Sequence, residues 1–363
     1  MTPVPLDLPL RPAEAAELGT LIFEQAERKP LTDEVRNRVA ARAAVLQLES
    51  LTPRLLSLAR DPVHPSSYYF TASAGGQPTL LHIALATAPT SSVFSKPLLI
   101  GRMRRAGGPE LIINAIPFGP ADEDQIEKFV TRIDTAFLPR PQGARPAIMV
   151  ESSAPEAFES FRAIWKKTGK NLAAIEAPAG APPRKAYYAG LWAAIWSGWR
   201  EGFSFGYEIP IAPDSVEAAK DAMRDAPGYS HYGLDISGVG DRGLDVAAQV
   251  HEFIRQTRSA RKITRSFDFE INLGSVDADR AAEGLEWLRS REHAAQFLAC
   301  GIEQVEELAD VARRSQCVLS IRGSREDTPE ALQSVGRATM GRFHFKARGV
   351  LSELPAIAEQ LLA

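Results

Sequence analysis

The stretch "SFDFEINL" (residues 266–273) alternates strictly: Phe267, Phe269, Ile271 and Leu273 on one side, Asp268, Glu270 and Asn272 on the other. Period-two alternation marks a strand. The segment that follows, "DADRAAEGLEWLRSR" (277–291), has the length and apolar spacing of an amphipathic helix. The four apolar residues must face such helices. The two carboxyl groups and the amide then face the opposite way, into whatever the strand helps to enclose.

The same unit recurs on both sides. Strands are predicted at "AIMVE" (147–151), "LAAIE" (172–176), "FSFGYEIPI" (203–211) and "HYGLDIS" (231–237), and after 266–273 at "AQFLACG" (295–301), "CVLSIRG" (317–323) and "FHFKARG" (343–349). Each is followed by a helix candidate. Gly169 stops the first, Pro213 and Asp214 open the third, and Thr328-Pro329 forms an N-cap followed by Pro at the first helical position. Eight consecutive βα units predict a closed (β/α)8 barrel. The competing open doubly wound sheet wants a Gly-rich phosphate loop after its first strand, and "ESSAPEAF" has none; no nucleotide cofactor is expected.

Residues 1–145 read as a separate α+β domain, with the barrel over 146–363. Two helix-like stretches (12–28 and 33–60) precede two hairpins, punctuated by Gly75-Gly76 and Gly107-Gly108. A helix, "DEDQIEKFVTRI", and a Pro/Gly linker, "LPRPQGARP" (138–146), follow. The Trp-rich face of the second barrel helix (Tyr188, Trp192, Ile195, Trp199) reads as core packed on the barrel wall, and "RMRR" (102–105) as a solvated run.

Bulk properties narrow the partners. Hydrophobic residues make up 45% of the chain, enough for a sizeable core, and the formal net charge of -3 gives no reason to expect nucleic acid or an anionic membrane. The two cysteines, Cys300 and Cys317, form no CxxC. No leader pattern and no membrane-spanning apolar run is read, so a soluble cytoplasmic protein is expected.

A βα barrel works at the C-terminal ends of its strands. Alternation aims Glu151, Glu176, Glu208, Asp235 and Glu270 inward from the first five strands, Arg322 from the seventh, and His344, Lys346 and Arg348 from the eighth. The mouth is therefore a bowl with an acidic wall and a basic wall. Glu208, Asp235 and Glu270 offer oxygen ligands for a divalent ion, and the basic side offers a seat for a carboxylate. The same charges also read as buried ion pairs with no chemistry attached. His231, at a strand start, reads as structural. Cys300 reads as a nucleophile only if a base activates it, and no inward His is placed to do so.

Several stretches carry a resemblance: "ELIINAIPF" (110–118), "FLPRPQGARPAI" (137–148), "TGKNLAAI" (168–175), "YYAGLWAAIWSGWREG" (187–202), then "VLSIRGS" (318–324) with "GRFHFKARG" (341–349). In order and spacing they resemble the tagaturonate epimerase family, over roughly residues 110–360. The resemblance implies a metal-dependent sugar barrel that interconverts keto-uronates. It departs where the chemistry should be. Where the family's seventh strand ends Leu-His-Ser-Gly-Ser, this chain has "IRGSR", with Arg322 at the imidazole position. Where its third strand brings an Asp-His pair, "GYEIP" brings Glu208. The eighth-strand His and Lys are kept as His344 and Lys346, with Ala347-Arg348-Gly349 replacing Thr-Ala-Gly.

The leading expectation is a sugar-acid epimerase or isomerase, with a divalent metal as its candidate cofactor. Glu208, Glu270 and Lys346 are its catalytic candidates; Arg322, Glu151, Glu176, His344 and Arg348 its substrate-binding ones. The rivals are a degenerate barrel that binds a sugar acid or a protein partner, and an enolase-like lyase. The absent Lys pair in "LAAIE" counts against the lyase.

Overall fold

The computed structural model describes residues 10–27, 29–87, 93–94, 98–104, 110–211, 216–324, 327–347 and 351–363. The chain divides into two compact units, Met1–Leu138 with Leu191–Arg200, and Pro139–Gly190 with Glu201–Ala363.

In the first unit, helices α1 (Pro12–Ala26) and α2 (Asp33–Ala43) precede an antiparallel sheet of β1 (Leu51–Arg60), β2 (Ser67–Ala74), β3 (Gln77–Leu85), β4 (Leu98–Arg104) and β5 (Glu110–Pro117), in the order β1-β2-β3-β5-β4. Leu18, Ile22 and Val39 of the helices share one core with Tyr68, Phe70, Leu81 and Ile113 of the sheet. The helix expected over 33–60 is corrected: it ends at Ala43, and 51–60 is an edge strand. The register against β2 slips between Arg54 and Ala59, so the period-two signal is broken. Pro53 is poor in a helix interior but tolerated on a sheet edge. The second hairpin pairs β4 with β5 antiparallel, but Gly107-Gly108 and part of the "RMRR" run lie outside the described residues. A short helix, α3 (Glu123–Lys128), follows.

The second unit is the barrel. Strands β6 (Ala147–Glu151), β7 (Ala173–Glu176), β8 (Ser204–Ile209), β9 (His231–Asp235), β10 (Asp268–Asn272), β11 (Phe297–Gly301), β12 (Val318–Arg322) and β13 (Phe343–Ala347) close in the order β10-β11-β12-β13-β6-β7-β8-β9. Every neighbouring pair is parallel. Helices α4 (Pro155–Thr168), α5 (Pro183–Ser197), α6 (Glu217–Asp225), α7 (Gly243–Ala260), α8 (Ala278–Ser290), α9 (Val305–Arg314), α10 (Pro329–Ala338) and α11 (Leu354–Leu362) follow the strands in turn. Alternation works as read: Phe269, Ile271, Ile321, Phe343 and Phe345 are buried on the helix side.

Local signals hold at several helix ends. Gly169 closes α4 in the left-handed conformation, and Thr328 Oγ1 caps α10 by accepting from Ala331 N. Pro213 and Asp214 lie outside the described residues. α5 approaches the barrel closely at Gly190, where a Cβ would meet Phe205 at 2.3 Å. Its later turns belong to the first unit, where Trp192 donates its indole N–H to Phe118 O at 2.7 Å.

The Pro/Gly stretch before β6 also closes the floor of the barrel. Asp268, the first residue of β10, accepts from the backbone N–H of Gln142 at 2.9 Å and of Gly143 at 3.1 Å. Among the described residues no helix is long and apolar enough to cross a membrane.

Candidate functional site

At the C-terminal ends of the strands lies a cavity of about 450 Å³. Four of the inward carboxylates line it: Glu151, Glu176, Glu208 and Asp235. Around and beneath them the charges form two clusters of different character.

The deeper cluster is centred on Lys346. Its ammonium lies 2.9 Å from Glu176 Oε1 and 3.0 Å from Glu270 Oε1. The other Glu270 oxygen, Oε2, takes the Nε2–H of His231 at 3.0 Å. Lys346 and Glu270 side chains are only 9% and 2% exposed, so both charges are effectively out of water. Burial by itself would lower the lysine; Glu176 and Glu270 more than reverse this, and its pKa is raised. Burial by itself would raise Glu270; Lys346, then His231, push it well below the usual carboxylate range. Ser320 adds to that lowering, though its hydroxyl makes no hydrogen bond of ordinary geometry. Lys346 and Glu270 hold each other charged. Glu270 and Lys346, read from the sequence as catalytic, are thus fixed charges below the cavity.

The outer cluster is centred on Arg322. One guanidinium nitrogen lies 3.5 Å from Glu208 Oε1, the other 3.5 Å from Asp235 Oδ2. These are loose contacts, and the Arg322 and Glu208 side chains are 29% and 48% exposed. Asp235 is better held: Ser237 donates from Oγ at 2.6 Å and from N at 3.0 Å, and Asn272 Nδ2 donates at 2.6 Å. Burial would raise its pKa, but these hydrogen bonds win and lower it. Glu208 behaves oppositely. Among the described residues it accepts only the long Arg322 contact, and burial of its carboxyl, reinforced by Glu176 and Glu270 against Lys346 and Arg322, raises its pKa. Glu208 thus lines the cavity with a carboxyl whose pKa burial raises.

The remaining candidates are placed as follows. Glu151 is exposed at the rim and accepts from Ala179 N at 2.6 Å. His344 is fully buried below Lys346 on the same strand and does not line the cavity. Arg348 lies outside the described residues. Cys300 is buried, and burial pushes its thiol up to about 12, which removes it as a nucleophile. Gly301, in register with Arg322, takes the inward position on that strand. Sequence reasoning assigned His231 to the floor but missed that it holds Glu270.

Two of the three carboxylates named for a divalent ion already have partners on both oxygens. Both Glu270 oxygens are taken by Lys346 and His231, both Asp235 oxygens by Ser237, Asn272 and Arg322. Among the described residues no group of three or more His, Cys, Asp or Glu could hold a metal.

Fold and mouth together define a (β/α)8 barrel with an N-terminal α+β unit and a charged pocket at its functional end. No protein-family model matches the chain, and no curated protein matches it in sequence. Solved structures do match. The native crystal structure of fructuronate-tagaturonate epimerase UxaE from Cohnella laeviribosi is similar to it with a TM-score of 0.56 at 15% identity, covering 86% of this chain and 74% of that one. The same enzyme complexed with one glycerol gives a TM-score of 0.55 at 14% identity over 86% and 74% of the two chains. This is a weak, divergent structural resemblance; at such identity it shows the fold.

Proposed function

We propose that the protein is an epimerase or isomerase of a small polyhydroxylated keto acid, of the keto-uronate type, working by proton transfer at the barrel mouth. One observation carries this reading. Glu208 lines the cavity, reaches solvent, and has a carboxyl whose pKa is raised. A proton-transfer group works best when its pKa approaches the working pH.

Glu208 takes a proton from a carbon next to the substrate carbonyl; the planar intermediate is reprotonated by Glu208 at the neighbouring carbon in an isomerisation, or on its opposite face by a solvent proton in an epimerisation. Negative charge then develops on the carbonyl oxygen. Lys346, locked in its charged form beneath the cavity, and Arg322 beside it supply fixed positive potential, with no reorganisation needed at the moment of reaction. Arg322 has a second task. Its two long contacts leave the guanidinium free to take the substrate's carboxylate as a bidentate partner. Enzyme in D2O with a panel of keto-uronates should wash deuterium into the position next to the carbonyl. Glu208→Gln should slow this by about 10²–10⁴-fold, the usual worth of an acid/base group. Wild-type protein that exchanges none of the panel, or a Glu208→Gln variant that exchanges as fast, overturns the proposal.

A second reading has its own observation: Arg322 already bridges two carboxylates of the protein itself. In that reading the outer cluster is a structural lock, and the barrel binds without catalysing.

A further inference from the structure

Seven buried side-chain polar atoms have no hydrogen-bond partner among the described residues. Three are scattered singly in the first unit, on Arg60, Asp61 and Gln125. The other four lie on inward-facing barrel residues: Nδ1 of His231, Oγ of Ser320, and both ring nitrogens of His344. His231, Ser320 and His344 are all fully buried. His344 stands in register with Ser320 on the neighbouring strand, and its ring lies 5.7 Å from that of His231, centroid to centroid. The orphans are therefore grouped directly beneath the Lys346–Glu270 pair, between it and the floor closed by Asp268.

Phe297 gives this layer one apolar wall, but its other members are polar. Native interiors satisfy nearly all buried polar groups, and a site of several converging polar atoms is where ordered water is held. On one side the Phe297 ring packs against His344, 4.1 Å between centroids, and against His231 at 5.2 Å. On the other the residues in register are small, Ala147 beside His344 and Ala299 beside Ser320. His344 is also kept neutral, since burial lowers its pKa well below the ordinary value. A neutral imidazole has one donor and one acceptor nitrogen, and water can serve both.

We infer that the barrel interior binds ordered water at a site built by His344, Ser320 and His231, and that this water completes the hydrogen bonding of the layer that holds Glu270. Through it His231 becomes a positioning residue. Its Nε2–H is committed to Glu270, and a water on Nδ1 fixes the ring in that orientation. The inference does not depend on the catalytic reading of Glu208, which can fail without touching it.

A crystal structure of the full chain, at a resolution that shows ordered solvent, decides the question. The expected result is a water peak about 2.7–3.2 Å from a ring nitrogen of His344 and from Ser320 Oγ or His231 Nδ1. A layer without such a peak, or a His344 ring turned to bond Ser320 directly, overturns it. Ser320→Ala gives a second readout. If Ser320 holds a water, the alanine variant loses a partner and its Tm falls. If the hydroxyl is merely stranded, removing it leaves Tm unchanged or raises it, and the site does not exist.

Discussion

The barrel carries two ion clusters on neighbouring strands, and they differ in almost every physical respect. In the deeper one, Lys346 touches Glu176 at 2.9 Å and Glu270 at 3.0 Å with the lysine and Glu270 side chains almost fully buried. In the outer one, Arg322 reaches Glu208 and Asp235 at 3.5 Å with all three side chains about a third to a half exposed. Depth decides what each can do. Charges without water must stay paired, so the first cluster is rigid and its protonation is fixed. Charges near water are screened and loosely held, so the second can exchange partners and protons. A site that needs both a fixed field and a mobile proton gets each from a different depth of one barrel.

The largest effect should come from breaking the deeper cluster. Lys346→Met strands Glu270 and removes the ammonium from Glu176, and should cost about 3–5 kcal/mol of unfolding free energy, the usual penalty for orphaning a buried charge. Urea denaturation measures it. A loss below about 1 kcal/mol, the range of exposed pairs, would erase the distinction between the clusters. Adding Glu270→Gln to the same variant should restore part of the loss.

Glu208 should also answer pH differently from the deeper pair. Glu270 is lowered, so its stabilising contribution is present above the ordinary 4.5 and is lost only as pH falls through its depressed folded value. Lys346 is raised, so its contribution is present below the ordinary 10.5 and is lost only as pH climbs through a still higher folded value. Glu208 is raised, so ionising it costs stability as pH rises from 4.5. Glu208→Gln should therefore leave Tm unchanged in mild acid and raise it slightly at neutrality, while slowing proton exchange. A Tm that drops at neutral pH would mean that Glu208 serves the fold.

How much of this was readable from the chain follows the same division by depth. Strand direction is written in alternation wherever one face meets helices, as in Phe267, Phe269 and Ile271, so the barrel and the inward placement of Glu208, Asp235, Glu270, Arg322 and Lys346 were legible. The edge strand 51–60 was not, because its bulge breaks the period. Pair choice was not legible either. Which acid meets Lys346 depends on strand order and register, and the diagonal from His231 to Glu270 crosses Gly233, whose missing side chain keeps the space beside Glu270 and Lys346 open. Inward Gly206 and Gly233, next to inward charges, were the available signal. That Glu270 is held charged in a buried pair is a consequence of desolvation and pairing, which no spacing encodes.

The smallest effect on stability should come from Arg322→Ala, and it is the one that separates the two readings of the mouth. Exposed, long ion pairs contribute about 0–1 kcal/mol. Asp235 keeps Ser237 and Asn272 when the guanidinium is removed, and Glu208 remains solvated. Tm should therefore barely move. If Arg322 instead serves to receive a substrate carboxylate, the same variant should bind a keto-uronate far more weakly, because a bidentate charge-assisted pair is lost. Calorimetry with the sugar acid, run beside a thermal melt on one preparation, reads both. Weakened binding at constant Tm identifies the outer cluster as a ligand clamp. A large fall in Tm identifies it as a lock, and the barrel as one that has given up its chemistry. If neither binding nor Tm changes, Arg322 is solvated and the clamp is refuted, leaving Lys346 as the only positive charge available to the reaction among the described residues of the site.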